Sequence, residues 1–165
     1  MPGPGARSFS AIAGNDPAKT AMLCTMVNPH IRCVLVSGSA GTGKTSLIRS
    51  MRSLDGSSPM VDVPIGTSEE RLFGSVDIEH AMSEGTVRID DGLFKQADGG
   101  FLCIDGIDLM DARTSLEILE SSIDRVAIVE RDGISASYAS DARIVATTGA
   151  SVRSMYRHIT DRFDI

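Results

Sequence analysis

The apolar positions of the chain fall into two kinds of pattern. Short continuous runs occur at Cys33-Val34-Leu35-Val36, Met60–Val63, Phe101-Leu102-Cys103-Ile104 and Arg143–Thr147. Runs of this length without alternation predict strands buried on both faces. Between them the apolar residues recur at helical spacing. Asp16-Pro17 opens a first helix that carries Ala21, Met22, Leu23 and Met26, and Asn28-Pro29 closes it. Further helices are expected over Lys44–Ser53, from Ser68 to about His80, over Thr114–Ser122 and over Ser154–Asp161. Strands alternating with helices predict an α/β fold whose mostly parallel sheet is covered on both faces.

Polar punctuation adds the connections. Asp132-Gly133 between two β-prone runs predicts a tight hairpin from Val126 to Tyr138. Gly85–Gly92 predicts a second small hairpin or an extended insert. Residues 1–8 are rich in Pro and Gly and are expected to be loose, leaving residues 9–165 as the domain.

The chain has 165 residues, enough for a packed core, with 42% hydrophobic and 23% charged residues. A net charge of −6 leaves no basic stripe to neutralise phosphates, so no nucleic-acid partner is expected. No stretch reaches the roughly 18 apolar residues of a membrane helix, and the first residues do not resemble a signal peptide. A cytoplasmic protein is the expectation. Cys24, Cys33 and Cys103 show no close pairing of the metal-binding kind and are expected to be buried free thiols. His30, His80 and His158 lie far apart, without metal-site spacing.

One segment carries specific chemistry. Gly38, Ser39, Ala40, Gly41, Thr42, Gly43, Lys44 and Thr45 fit the phosphate-loop pattern G-x-x-x-x-G-K-[ST], with Ser46 next in the same region. A buried strand precedes this loop and a helix follows, as the pattern requires. Glycines let backbone amides surround phosphate oxygens, Lys44 reaches the terminal phosphates, and the Thr45 hydroxyl ligates Mg²⁺. ATP with Mg²⁺ is the expected cofactor. Phe101 to Asp105, an apolar run closed by an acid, fits a Walker B strand with Asp105 as the second Mg²⁺ residue. Ring ATPases commonly place a glutamate next, to activate water. Gly106 stands there instead, which predicts weak intrinsic hydrolysis that Gly106→Glu would raise. Asp108 is too far displaced to substitute.

These motifs sit in a longer series that resembles the AAA+ ATPase subunits of magnesium chelatase. Phe9-Ser10-Ala11-Ile12-Ala13-Gly14 is similar to that family's entry motif, and Asp62–Arg71 is similar to its D-L-P-L-G-A-T-E-D-R. Gly74–Glu79, Asp91-Gly92-Leu93, the Val129–Ile134 hairpin and Asp161-Arg162-Phe163 follow in order. The resemblance implies an AAA+ P-loop core with hairpin insertions. It also implies a ring, a hexamer of active I-type and degenerate D-type subunits, that works with a large porphyrin-binding subunit to insert Mg²⁺ into protoporphyrin. It makes Arg162 an arginine finger that acts on the neighbouring subunit, beside Asp105 as the catalytic pair. Gly106, and a Thr147–Ser151 segment without the usual sensor Asn, resemble the D-type subunit more than the I-type. The family fold continues into a fifth core strand and a helical lid. This chain ends before both, which is expected to expose one side of the Cys33–Val36 strand. A MoxR-like chaperone ATPase and a non-hydrolysing assembly platform are the alternative readings.

Overall fold

The structure, a computed structural model, describes residues 8–77, 86, 88–149 and 151–165, without the side chain of Arg153. The loose start expected before Ser8, the positions from Ile78 to Gly85, and His80 among them, lie outside the described residues.

The four continuous apolar runs are the four strands of one parallel sheet. β1 (Cys33–Ser37), β2 (Met60–Val63), β5 (Phe101–Ile104) and β8 (Arg143–Thr148) lie in the order β1-β8-β5-β2. Their residues alternate between two cores, which is why the runs do not alternate in polarity. Cys33, Leu102, Ile104, Ile144 and Ala146 face one cluster, while Val34, Val36, Phe101, Cys103 and Val145 face the other. All four residues of β5 are buried, and each large side chain there contributes about 1.5–3 kcal/mol.

One face is covered by α1 (Asp16–Val27) and α2 (Lys44–Ser50), whose Met22, Leu47 and Ile48 are buried with Phe9. The expected helix through Ser53 ends its α-helical part at Ser50 and finishes as a 3₁₀ turn. The opposite face packs Ile118 and Leu119 of α5 (Ala112–Asp124), longer at both ends than expected; Asp111 caps its earlier start, accepting from the amides of Arg113 and Thr114. α6 (Arg157–Thr160) is the core of the last predicted helix and buries Ile159.

The region from Ser68 departs from expectation. Helix α3 (Glu69–Phe73) stops after one turn, and β3 (Gly74–Val76) follows at once. A side chain at Gly74 would meet the Asp90 carbonyl at 2.1 Å, so this close approach admits only glycine. The partner of β3 is β4 (Ile89–Asp91), antiparallel, so the described strand within the expected hairpin or extended insert at Gly85–Gly92 pairs with β3. A short helix, α4 (Leu93–Gln96), was not foreseen. The other hairpin follows the sequence reading: β6 (Val126–Arg131) and β7 (Ile134–Ala139) flank Asp132 and Gly133, both at positive φ.

The outer edge of β1 is less open than expected. The Asp164 amide donates to the Cys33 carbonyl, and the Leu35 amide donates to the Ile165 carbonyl, both at 2.9 Å. Asp164 Oδ2 also accepts from the amides of Arg32 and Cys33, at 2.7 and 2.9 Å. These residues occupy the start of the edge that a further strand would cover. Cys33 and Cys103 are buried as free thiols, and burial pushes each up to about 12, whereas Cys24 on α1 is only half-buried.

Candidate nucleotide-binding site

Parallel strands direct their carboxyl ends to one rim, and the candidate residues collect there. β1 runs out at Ser37 into the loop from Gly38, and α2 begins at Lys44. Gly41 and Gly43 sit at φ of 80° and 85°, the left-handed turns that fold this loop back onto itself. The loop is tied internally: Thr42 Oγ1 donates to the Ser39 carbonyl at 2.9 Å, and the Gly38 amide donates to the Thr148 carbonyl of β8 at 3.3 Å. Asn15, just before α1, reaches the Thr42 carbonyl at 3.4 Å. Lys44 Nζ donates to the carbonyls of Gly38 and Ser39 at 2.6 and 2.8 Å, so the ammonium lies against the loop it belongs to. Ala40 and Ser46 are exposed.

Thr45 opens the first turn of α2 and faces Asp105, the residue after β5. Its Oγ1 lies 2.8 Å from Asp105 Oδ2 and 3.0 Å from Oδ1, donating to the carboxylate. The two residues expected to share a metal ion, sixty positions apart in sequence, are thus in direct contact. Among the described residues, no group of three or more His, Cys, Asp or Glu is placed to hold a metal alone. One carboxylate and one hydroxyl suit a hard cation such as Mg²⁺ that takes its remaining ligands from water and phosphate. A cavity of about 350 Å³ opens beside this pair, with Ile48, Arg49, Val63 and Ile65 in its walls.

Thr147 completes the cluster; the sequence pointed to the segment it opens only for lacking the usual sensor Asn. β5 and β8 pair with Ile104 opposite Ala146, so the next positions along, Asp105 and Thr147, are neighbours. Thr147 Oγ1 accepts from the Gly106 amide at 2.9 Å and donates to Asp105 Oδ1 at 2.7 Å. The signal for it was present as a polar pair, Thr147-Thr148, closing an apolar strand, but only the register shows which acid it meets.

Gly106 is more than a missing side chain. Its φ of 86° and ψ of 58° are left-handed, and a Cβ there would lie 3.2 Å from Leu109 Cδ1 and 3.7 Å from Ile65 Cδ1. A glutamate at this position would adopt a backbone costing about 1–2 kcal/mol. Asp108 points elsewhere. It lines a separate cavity of about 170 Å³ with Ile107, Met110 and Tyr156, and its Oδ1 is buried without a partner. Arg162 is also remote from this rim. Its Nη2 donates to Glu120 Oε1 of α5 at 2.7 Å, in an exposed pair beside His30, Arg125 and Phe163. No helix among the described residues is long and apolar enough to cross a membrane.

Comparison with known proteins agrees with this architecture. The family described as the Sigma-54 interaction domain matches residues 13–165. The magnesium-chelatase subunit ChlI of Olisthodiscus luteus is 29% identical over 94% of this chain and 54% of its own length. The magnesium-chelatase 38 kDa subunit of Rhodobacter capsulatus is 30% identical over 95% of this chain and 54% of its own. A chain from a cryo-EM reconstruction of the complex between subunits BchI and BchD of magnesium chelatase superposes with a TM-score of 0.82 at 30% identity. That match covers 99% of this chain and 60% of the other. This chain therefore spans about half the length of the curated relatives it matches. With its parallel sheet and phosphate-loop sequence, the chain belongs to the family described as the Sigma-54 interaction domain, and over most of its own length it is similar to magnesium-chelatase subunits.

Proposed function

We propose that this chain binds ATP with Mg²⁺ as an AAA+ subunit of a magnesium chelatase-type motor, and that it hydrolyses little itself. The observation that carries the reading is the contact between Thr45 and Asp105 at the end of a phosphate loop. A hydroxyl and a carboxylate meeting beside Lys44 fit a Mg²⁺-bound triphosphate, which would take its charge neutralisation from Lys44 and the cation. Thr45 and Asp105 would hold the metal, and the loop amides and Lys44 would hold the phosphates. Bound Mg²⁺ would polarise the terminal phosphate.

The position after Asp105 supplies no base. Gly106 offers no side chain, its backbone conformation disfavours one, and Asp108 lines a different cavity. The chain therefore holds a nucleotide without activating water, as a D-type subunit or assembly platform would. Arg162 complements a neighbouring subunit: exposed and distant from its own loop, it serves as the arginine finger in trans. The partners are homologous AAA+ subunits in a ring and a large porphyrin-binding subunit, and the product of the whole is Mg²⁺ inserted into protoporphyrin.

Titration of a fluorescent ATP analogue with and without Mg²⁺ tests the binding reading. Tight Mg²⁺-dependent binding with turnover far below that of an active ring ATPase is expected, and brisk hydrolysis by the unaltered chain overturns it. Adding the chain to an active ATPase subunit and a porphyrin-binding subunit should raise Mg-porphyrin formation, read by fluorescence. Nucleotide binding with no effect on that reaction removes the chelatase assignment.

A further inference from the structure

We propose that Thr147 is a positioning residue for Asp105, rather than a reader of the terminal phosphate, and that the Mg²⁺ dependence of nucleotide binding runs through it. The inference rests on the ATP–Mg²⁺ reading above and goes beyond it by assigning a residue and a role.

The position of Thr147 follows from strand register. β8 lies between β1 and β5, with Val36 opposite Thr147 on one side and Ile104 opposite Ala146 on the other. The side chain is buried, 1% exposed, at the point where the phosphate-loop strand and the acidic strand both end. A β-branched residue suits such a strand end, and its hydroxyl is the only polar group it brings.

That hydroxyl is already committed. It has one proton, and the Gly106 amide fixes its orientation by donating to the oxygen at 2.9 Å. The proton then goes to Asp105 Oδ1 at 2.7 Å, a hydrogen bond to a charged acceptor and among the stronger kinds. No donor remains to meet a phosphate. The relay from Gly106 N–H through Thr147 to Asp105 also gives the left-handed turn at Gly106 a use: it aims an amide at the threonine.

The consequence for Asp105 is a division of labour between two hydroxyls. Thr45 Oγ1 lies nearer Oδ2, at 2.8 Å, and Thr147 holds Oδ1. Thr45 is the hydroxyl expected to serve the metal, so its bond to Asp105 is the one that changes on binding. Thr147 lies on the sheet side of the carboxylate and keeps it in place meanwhile. Residues that orient a metal-binding carboxylate in this way usually alter metal affinity by about 10–100-fold when removed.

The test uses Thr147→Val, which keeps the shape and loses the hydroxyl, and Thr147→Ser, which keeps the hydroxyl. Fluorescent ADP and ATP analogues are titrated with Mg²⁺ and with EDTA. In Thr147→Val, the tightening produced by Mg²⁺ should shrink about tenfold, equally for both nucleotides, with the EDTA affinities unchanged within about twofold. Thr147→Ser should restore the parent behaviour within about threefold. A structural role alone would lower the melting temperature and leave the Mg²⁺ increment intact, which overturns the proposal. So does a loss confined to ATP, since that marks a phosphate reader. If Thr147→Val does not fold by circular dichroism, Thr147→Ala is read by the same criteria. A parent protein with no Mg²⁺ dependence defeats the metal-site reading itself, a result distinct from a valine variant that keeps the parent's dependence.

Discussion

The carboxyl-end rim of the central sheet and the outer corner at Arg162 are built on different principles. At the rim, Thr45 of α2, the adjacent Asp105 and Gly106 after β5, and Thr147 of β8 are joined by hydrogen bonds of 2.7–3.0 Å at the end of a sheet buried on both faces. At the corner, Arg162 meets Glu120 in a pair about as exposed as buried, at the end of a four-residue helix. Inside the sheet, position is enforced by packing and by register. At the corner it is held by one solvated ion pair, which is worth little and easily exchanged for another partner. The geometry of the rim is fixed by packing and register, while the single solvated pair at the corner leaves it free to change partners.

Thiol labelling breaks or sharpens this contrast most strongly. Burial holds Cys33 and Cys103 up to about 12. At pH 9 the thiolate fraction of each is then on the order of one part in a thousand, and it grows only as pH rises further. A thiol–disulfide exchange reagent should therefore modify Cys24 on α1 first, with both sheet thiols protected at pH 8 and pH 9. Prompt reaction of either sheet thiol would mean that the centre opens readily.

Lys44→Ala comes next. It removes the charged donor at Gly38 and Ser39, and nucleotide affinity should fall by about 10–100-fold in an equilibrium titration. Unchanged affinity would dissolve the rim as a binding site. At Gly106, substitution by Glu forces a side chain into a left-handed backbone beside Leu109, costing about 1–2 kcal/mol. A drop in melting temperature of about 2–8 °C should follow, with no more than a small gain in turnover. A stable, fast Gly106→Glu variant would show that the turn yields easily and would restore the simpler view of Gly106 as a deleted glutamate. The smallest effect is expected at the corner. Arg162→Ala should cost at most about 1 kcal/mol in stability and leave nucleotide affinity unchanged within about twofold. Its effect should appear only in a mixed ring, as slower hydrolysis by the adjacent subunit.

The difference between the two regions also explains what was legible in the sequence. The four buried runs and the hairpin at Asp132-Gly133 announce themselves because strand burial and turn geometry leave local patterns. The loop from Gly38 to Thr45 is legible for the same reason, since adjacent residues carry its chemistry. Thr147 was not, because its meaning depends on the pairing of β5 with β8, a non-local fact. The stop of α3 at Phe73 depends on the Asp90 carbonyl approaching Gly74, again from a distant segment. Arg32 is a further case. It is 5% exposed, yet its guanidinium is satisfied by the Ser122 and Ala142 carbonyls and by Asp141, all remote in sequence. The αL turn at Gly106 was half visible: glycine permits it, but only the backbone angles show that the position is twisted as well as bare.

The clasp of Asp164 and Ile165 on β1 carries a mechanical implication. Arg162 lies just upstream of that clasp, and β1 runs directly into the phosphate loop. On the proposed reading, a pull on Arg162 by an adjacent subunit would travel through a few covalent bonds to Asp164. From there it would pass through paired amide contacts into the strand that runs into the phosphate loop. The backbone would thus act as a short tether between the two regions, along which force at a subunit boundary would be felt at the nucleotide.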